Sequence, residues 1–261
     1  MTRIERLEQK LARGETLIGT HSALPEPLIP EMLGMAGFDI LWVDAEHSPL
    51  DRRDLNLMIL SANLTDIAVF VRIPEINPSF VKTVLDMGAD GIIFPNIRSV
   101  EDAQLAVASM KYPPEGIRGY GPQRCTRYGA IDEQEYIHKY SKQPWAVLQI
   151  EHWDSVEHLE EIMEVPGINM LCAGPCDLSG SLGKLALVDD PECKKWYDLL
   201  VEKAIKKGIP IGVSGAPGVM GDWLRRGVSW INVGGDSGYI LAGAKALHQE
   251  MQTLVVQIKG K

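Results

Sequence analysis

The amino-acid sequence predicts one (β/α)8 barrel, or TIM barrel, as a single α/β domain over residues 1–261. Short apolar runs alternate with longer amphipathic segments, which is the order of strands and helices in this fold. The length is close to the roughly 250 residues that are typical of it. No linker or low-complexity tract divides the chain. The phosphate-binding turns GxGxxG and GxxxxGK[ST], which would favour an open doubly wound sheet, do not occur.

Eight apolar runs are predicted to be strands covered on both faces, because none shows the polar alternation of a half-exposed strand. In chain order they are TLIGT (16–20), DILWV (39–43), IAVFV (67–71), GIIF (91–94), WAVLQI (145–150), INMLC (168–172), IPIGV (209–213) and WINV (230–233).

Helical patterns fill the intervals between these runs, as in LDRRDLNLMILSANL, SFVKTVLDMGAD and VEDAQLAVASMKY. Helix-ending glycines stand shortly before four of the strands, at Gly88, Gly167, Gly208 and Gly227. The one long irregular segment is PPEGIRGYGPQRCTRYGA (113–130). A loop of this length in a compact domain is usually functional or mobile.

Composition excludes several classes of protein. The balance of 26 basic and 35 acidic residues gives a net charge of −9, which argues against nucleic acid or an anionic membrane as a main partner. The four cysteines form no CxxC pair, so a disulfide framework or a structural zinc site is not expected. A metal site at Cys172, Cys176 and His152 is a weaker alternative to packed thiols. No apolar signal core or membrane-spanning run is found, and we expect a cytoplasmic protein.

Polar residues gather immediately after the predicted strands, where a barrel builds its active site. In strand order they are Asp44, Glu46 and His47; Arg72; Pro95 and Asn96; Gln149 and Glu151; Gly174, Pro175, Cys176 and Asp177; Ser214; and Gly234, Gly235 and Asp236. The opposite strand ends carry ordinary turn residues. This asymmetry predicts an enzyme.

Each of these residues has a functional and a structural interpretation. Glu151 and Asp177 follow adjacent strands, and together they form an oxygen donor set suited to Mg²⁺ or Mn²⁺. Alternatively, Glu151 pairs with a basic side chain and Asp177 caps a helix. Arg72 either stabilises an oxyanion or forms a structural ion pair. His47 is either a general base or a packed loop histidine.

The chain resembles the HpcH/HpaI family of metal-dependent pyruvate aldolases. The resemblance rests on WVDAEHSPLD (42–51), VRIPEINPSFVKTVLDMGADGIIFP (71–95), YPPEGIRGYGPQR (112–124), LQIE (148–151) and GPCDLSGSLG (174–183), which occur in this order. It implies a class II aldolase that cleaves a 4-hydroxy-2-oxo acid to pyruvate and an aldehyde through a pyruvate enolate. The implied cofactor is Mg²⁺ or Mn²⁺, with Co²⁺ as a possible substitute.

The same resemblance implies the roles of individual residues. Glu151 and Asp177 would ligate the cation, and Arg72 would hold the keto oxygen. His47 would be the base, oriented by Asp86. The remaining residues would bind pyruvate or support the base, and they are Gln149, Gly174, Pro175, Cys176, Asp44 and Glu46. No lysine stands at a strand end, which disfavours a Schiff-base mechanism.

Other parts of the chain concern specificity and assembly. Family members often carry alanine at the position of Cys176, whose thiol we expect to pack. Arg118, Arg124 and Arg127 in the 116–130 loop, together with the 214–219 segment, are predicted to contact the aldehyde half, and the arginines would suit an acidic or phosphorylated aldehyde. Alternatively, the loop arginines bind a neighbouring subunit. The resemblance also implies a homo-oligomer, a dimer or a hexamer, with the C-terminal helix (about 237–258) exchanged between subunits. Alternatively, this helix covers its own barrel.

Two other functions remain open at this point. One is a lyase of the citrate-lyase β type that acts on a CoA thioester, although the chain shows no long basic groove. The other is a metabolite-binding barrel without turnover, against which the set of His47, Arg72, Glu151 and Asp177 argues.

Overall fold

A computed structural model describes residues 1–260. It confirms the predicted barrel, with eight parallel strands that pair in chain order and close between the last and the first. The strands are β1 (Leu17–Ser22), β2 (Ile40–Asp44), β3 (Ala68–Arg72), β4 (Gly91–Phe94), β5 (Trp145–Ile150), β6 (Met170–Ala173), β7 (Ile211–Gly215) and β8 (Trp230–Gly235).

Helices surround the barrel in the order that the sequence predicts. They are α1 (Arg3–Ala12), α2 (Leu28–Met35), α3 (Arg52–Ala62), α4 (Pro78–Asp86), α5 (Val100–Met110), α6 (Glu133–His138), α7 (Trp153–Glu157), α8 (Leu159–Ile162), α9 (Pro175–Ser181), α10 (Pro191–Lys207), α11 (Met220–Arg226) and α12 (Asp236–Lys259). Single 3₁₀ turns lie at Arg124–Thr126, Tyr140–Lys142 and Pro217–Val219.

The strands are apolar on both faces because each face packs against a different layer. Alternate residues, among them Trp42, Phe70 and Trp230, fill the interior of the barrel. The residues between them, such as Leu41 and Val69, pack outward against the helices. The continuous apolar runs of the sequence are the result of this double burial.

Helix α1 closes the N-terminal end of the barrel. Its apolar residues Ile4 and Leu7 join the interior cluster. Arg6 and Lys10 each lie 2.8 Å from the carboxylate of Asp39, which directly precedes β2. The opposite end, where the strands terminate, therefore forms the only mouth of the barrel within residues 1–260.

Helix α12 begins at the barrel but does not cover it. Asp236 anchors the start of the helix by accepting hydrogen bonds from Ser22 Oγ and from the backbone N–H groups of Ala23 and Leu24. Beyond this turn, residues 238–260 are exposed. The interpretation that the helix covers its own barrel is therefore wrong. No helix within residues 1–260 is both long and apolar enough to cross a membrane.

Candidate active site

An arginine–aspartate pair forms one side of the mouth. Asp44 and Arg72 end neighbouring strands and stand opposite each other in the ladder. Arg72 donates from Nε and Nη2 to the two oxygens of Asp44, at 3.0 and 2.7 Å. Its guanidinium also lies 5.1 Å from the centre of the Trp42 ring. Burial acts to raise the pKa of Asp44, but the hydrogen bonds and charge of Arg72 outweigh it and lower that pKa.

The turn after β2 presents Glu46 and His47 beside this pair. Asp44 shapes the turn, because its Oδ1 accepts from the backbone N–H groups of Glu46 and His47 at 3.1 and 3.3 Å. Glu46 Oε2 lies 3.0 Å from Arg72 Nη1, in an ion pair outside hydrogen-bond geometry, and 3.5 Å from His47 Nε2. The His47 side chain is 68% exposed, so its ring is open to a substrate in the mouth.

Glu151 stands at the end of β5 in a tightly built pocket. Its Oε1 accepts from the backbone N–H of Asn96 at 2.7 Å, and its Oε2 accepts from Gln149 Nε2 at 2.6 Å. A Cβ atom at Gly174 would lie 2.6 Å from Glu151 Cβ, so only glycine leaves room there for this carboxylate. Neither structural interpretation holds, because Glu151 pairs with no basic side chain among residues 1–260 and Asp177 makes no capping hydrogen bond.

The charges of two other carboxylates, Glu46 and Asp177, act on Glu151. Burial raises the pKa of Glu151 to about 7, and the charges of Asp177 and Glu46 act in the same direction. Burial also raises the pKa of Glu46, and Asp177 again contributes. Asp177 itself is exposed in the first turn of α9. A buried carboxylate whose ionised form is disfavoured by neighbouring carboxylates would be stabilised by a divalent cation, so Glu151 and Asp177 fit such a cofactor.

A second group of possible metal ligands lies elsewhere. Within residues 1–260, the only three-residue set of close ligand atoms is Asp154, Glu157 and His158 on and beside α7. Two of these residues are exposed, and none belongs to the predicted pair of ligands.

Asp86 and the arginines of the 116–130 loop lie away from the mouth of their own barrel. Asp86 ends α4 near the closed end of the barrel, where it accepts from Arg118 Nη2 at 2.6 Å. Within residues 1–260 it makes no contact with His47, which is held instead by Asp44 and Glu46. The prediction that the 116–130 arginines line the mouth is also wrong for this chain. Arg118 is 1% exposed and lies over the Tyr112 ring, and Arg124 donates to the backbone oxygen of Met87.

Cys176 also differs from the expectation. We expected its thiol to pack, but the residue is exposed in the first turn of α9, beside Asp177. Two other cysteines, Cys172 and Cys193, are buried, and burial raises the pKa of the Cys172 thiol inside the barrel.

Sequence reasoning assigned no role to Asn96, although it placed the residue at a strand end. Asn96 has a φ of 52°, an uncommon left-handed conformation that aims its backbone N–H at Glu151. Asparagine tolerates this conformation better than most residues, and Pro95-Asn96 after an apolar run was the available signal. His21, near the end of β1, is a second residue without a predicted role, and its ring packs beside Trp42.

Comparisons with known proteins identify the family to which this chain belongs. A family model described as HpcH/HpaI aldolase/citrate lyase matches residues 17–241. The 5-keto-4-deoxy-D-glucarate aldolase of Escherichia coli (strain K12) is 33% identical over 241 residues, 91% of this chain and 93% of that protein. The 2-dehydro-3,6-dideoxy-6-sulfogluconate aldolase of Pseudomonas putida is 32% identical over 253 residues, 96% of each chain. An HpcH/HpaI aldolase/citrate lyase family protein from Burkholderia cenocepacia J2315 has a similar structure, with a TM-score of 0.88 and 28% identity over 95% of this chain and 99% of that one.

Proposed function

The chain belongs to the HpcH/HpaI aldolase/citrate lyase family and is an aldolase, a carbon–carbon lyase; we propose that it cleaves a 4-hydroxy-2-oxo acid reversibly to pyruvate and an aldehyde. The observation that carries this proposal is the arrangement of the mouth. The charges of Glu46 and Asp177 both act on the carboxyl group of Glu151, and the guanidinium of Arg72 acts on it in the opposite direction.

Glu151 and Asp177 are the proposed protein ligands of a divalent cation, Mg²⁺ or Mn²⁺, which Co²⁺ can replace. A cation at these oxygens would supply positive charge next to the keto and carboxylate oxygens of pyruvate, where the enolate develops. Glu151 is prepared for this role because Asn96 and Gln149 hold both of its oxygens. Gln149 would in addition steady the water molecules around pyruvate, because its Oε1 is an acceptor with no hydrogen-bond partner within residues 1–260.

Arg72 is the proposed donor to the oxygen that becomes negative as the C–C bond breaks. A guanidinium carries five N–H donors. Two of them point at Asp44 and one nitrogen faces Glu46, which leaves N–H groups for the substrate. Because Asp44 and Trp42 fix the guanidinium before the substrate arrives, no reorganisation is needed in the transition state.

His47 is the proposed base that takes the proton from the distal hydroxyl during cleavage and returns it during synthesis. Glu46 faces its Nε2, and Asp44 holds its backbone, so these two carboxylates take the orienting role that was predicted for Asp86. The backbone around Gly174, Pro175 and Cys176 is proposed to receive the pyruvate carboxylate, since the first N–H groups of α9 have no partner within the helix.

A homo-oligomer is proposed from the exposed apolar surface of α12. The helix leaves Ile18, on the outer face of β1, 45% exposed, where the helix after β8 would normally lie. Its own apolar side chains, including Leu247, Met251 and Leu254, are equally uncovered. An exchanged helix from a second copy would cover both surfaces, in a dimer or in a hexamer built from dimers.

The experiment that tests the proposed reaction is deuterium exchange at the methyl group of pyruvate, followed by NMR. Protein stripped of metal should be inactive, and addition of Mg²⁺ or Mn²⁺ should start the exchange. Asp177→Asn is the variant that tests the ligand role, because it removes one ligand charge at an exposed position. Exchange that continues in a chelator, or that survives unchanged in Asp177→Asn, would contradict the proposed metal site. If pyruvate binds but no divalent cation supports exchange, the CoA-thioester lyase and the binding barrel become the better interpretations.

A further inference from the structure

Asp177 is a proposed metal ligand whose own contacts do not fix its position. Its side chain is exposed and makes no capping hydrogen bond. Glu151 differs, because Asn96 and Gln149 hold both of its oxygens. Asp177 lies in the first turn of α9, so the placement of that turn determines where its carboxylate stands.

The hydroxyl group of Tyr197 connects this turn to α10. It donates a hydrogen bond to the backbone oxygen of Pro175, at 3.1 Å between the two oxygens. Pro175 is the first residue of α9 and stands two positions before Asp177. The hydrogen bond therefore acts on the backbone that carries the ligand, in a helix of only seven residues.

The Tyr197 ring is itself held in place. It is 2% exposed, and its centre lies 5.1 Å from that of the Trp223 ring on α11. The guanidinium of Arg226 lies 5.2 Å from the centre of the Trp223 ring, and its Nε lies 2.6 Å from Asp198 Oδ1 on α10. Burial raises the pKa of Tyr197 above its ordinary value, so the hydroxyl group keeps its proton and donates at neutral pH.

Other contacts hold the two ends of α9. The backbone N–H of Gly174, just before the helix, donates to the oxygen of Ile150 at 3.1 Å. At the last residue, Ser181 Oγ accepts from the backbone N–H of Trp153 at 3.1 Å. These contacts keep the helix in place when the tyrosine hydroxyl group is removed. The loss of that group therefore affects how firmly the first turn is held, and the helix itself remains.

We propose that Tyr197 is a positioning residue of the metal site, whose hydroxyl group holds Asp177 where it can share a cation with Glu151. This inference rests on the proposed function. Groups that hydrogen-bond directly to metal ligands typically change metal affinity about 10- to 100-fold. Tyr197 acts one step further from the cation, through one neutral hydrogen bond, so its removal should weaken the binding of Mn²⁺ about threefold to tenfold.

Electron paramagnetic resonance of free Mn²⁺ measures the dissociation constant of the ion without any turnover. Tyr197→Phe removes the hydroxyl group and keeps the ring. Tyr136→Phe is the matched control, because Tyr136 is also buried and its hydroxyl group donates to Cys125 Sγ at 3.1 Å, on a helix that precedes β5 and lies toward the closed end of the barrel. Both variants should lose thermal stability in chelator, since each loses one buried hydrogen bond. Only Tyr197→Phe should bind Mn²⁺ more weakly than the wild type.

Asp177→Asn separates this inference from the proposed function. If the wild type and Asp177→Asn bind Mn²⁺ equally, the proposed metal site is wrong and the role of Tyr197 falls with it. If Asp177→Asn weakens binding but Tyr197→Phe does not, the metal site stands and the role of Tyr197 is refuted. Equal weakening in Tyr197→Phe and Tyr136→Phe would also refute it, because the effect would then follow from lost stability. Should Tyr197→Phe not fold, Tyr197→Met replaces it with the same outcomes, since methionine fills much of the volume with a flexible side chain and has no hydroxyl group.

Discussion

Replacement of Glu151 by glutamine should stabilise the metal-free protein while removing its response to divalent cations. Glu151 is 8% exposed, and its pKa is raised from the ordinary value of 4.5 to about 7. The folded state therefore holds this proton more tightly than the unfolded chain does. The stabilising effect of the proton is complete below pH 4.5 and is lost as the pH rises through 7. Above that pH, the buried negative charge of Glu151 destabilises the folded state, and glutamine has no such charge.

The size of the effect follows from the same pKa. A rise from 4.5 to about 7 corresponds to about 3 kcal/mol at pH 8, since each pH unit is worth about 1.36 kcal/mol. Glutamine can keep the bond from the Asn96 N–H through its own oxygen. Its new amide would meet Gln149 Nε2, but Gln149 can turn and offer Oε1, which has no partner within residues 1–260. The hydrogen bonds therefore survive the substitution.

Thermal unfolding of both proteins in chelator, at pH 5 and at pH 8, measures this difference. At pH 8 the apparent Tm of Glu151→Gln should exceed that of the wild type by about 6–10 °C, and at pH 5 most of the gap should close. Addition of Mn²⁺ at pH 8 should raise the Tm of the wild type alone. A Glu151→Gln variant with a lower Tm than the wild type at pH 8 would refute the reasoning about this buried carboxylate. So would a variant whose Tm rises as much with Mn²⁺ as that of the wild type.

Three further substitutions test other parts of the molecule. Arg72→Ala should lower kcat for retro-aldol cleavage by about 10²- to 10³-fold with the circular dichroism spectrum retained, and a fully active variant would exclude Arg72 from the mechanism. Gly174→Ala should displace Glu151 and weaken activation by Mn²⁺ about 10- to 100-fold in a metal titration, whereas an unchanged titration would show that the pocket tolerates a methyl group. Leu247→Asp should shift the assembly toward monomer in light scattering, with Gln252→Asp as the matched control on the same helix; equal masses for both would contradict the exchange of α12.

The strands and their order were predictable because barrel strands are buried on both faces, and that burial leaves a continuous apolar run in the sequence. The residues at the strand ends were predictable for the same reason, since Asp44, Arg72 and Glu151 each follow such a run directly. Their mutual contacts depend on register, which pairs Asp44 with Arg72, and on the left-handed backbone of Asn96. Neither property can be read from composition or periodicity.

The prediction for the loop arginines failed for a topological reason. The 113–130 segment follows a helix and precedes β5, so in a barrel it must lie at the end opposite the mouth. Asp86 lies at the same end of the barrel, because a residue that ends a helix lies near the beginning of the next strand.

Helix α1 closes the N-terminal end of the barrel. This closure determines the order in which reactants enter and leave. With that end closed by Ile4 and Leu7, every molecule passes through the ring of strand ends. In the proposed site, pyruvate lies inward against Glu151 and Arg72, and the aldehyde lies outward toward His47. The aldehyde must then depart first and pyruvate last. Free pyruvate consequently competes with the hydroxy-oxo acid for the empty enzyme, whereas free aldehyde does not, so accumulation of pyruvate alone raises the apparent KM for cleavage.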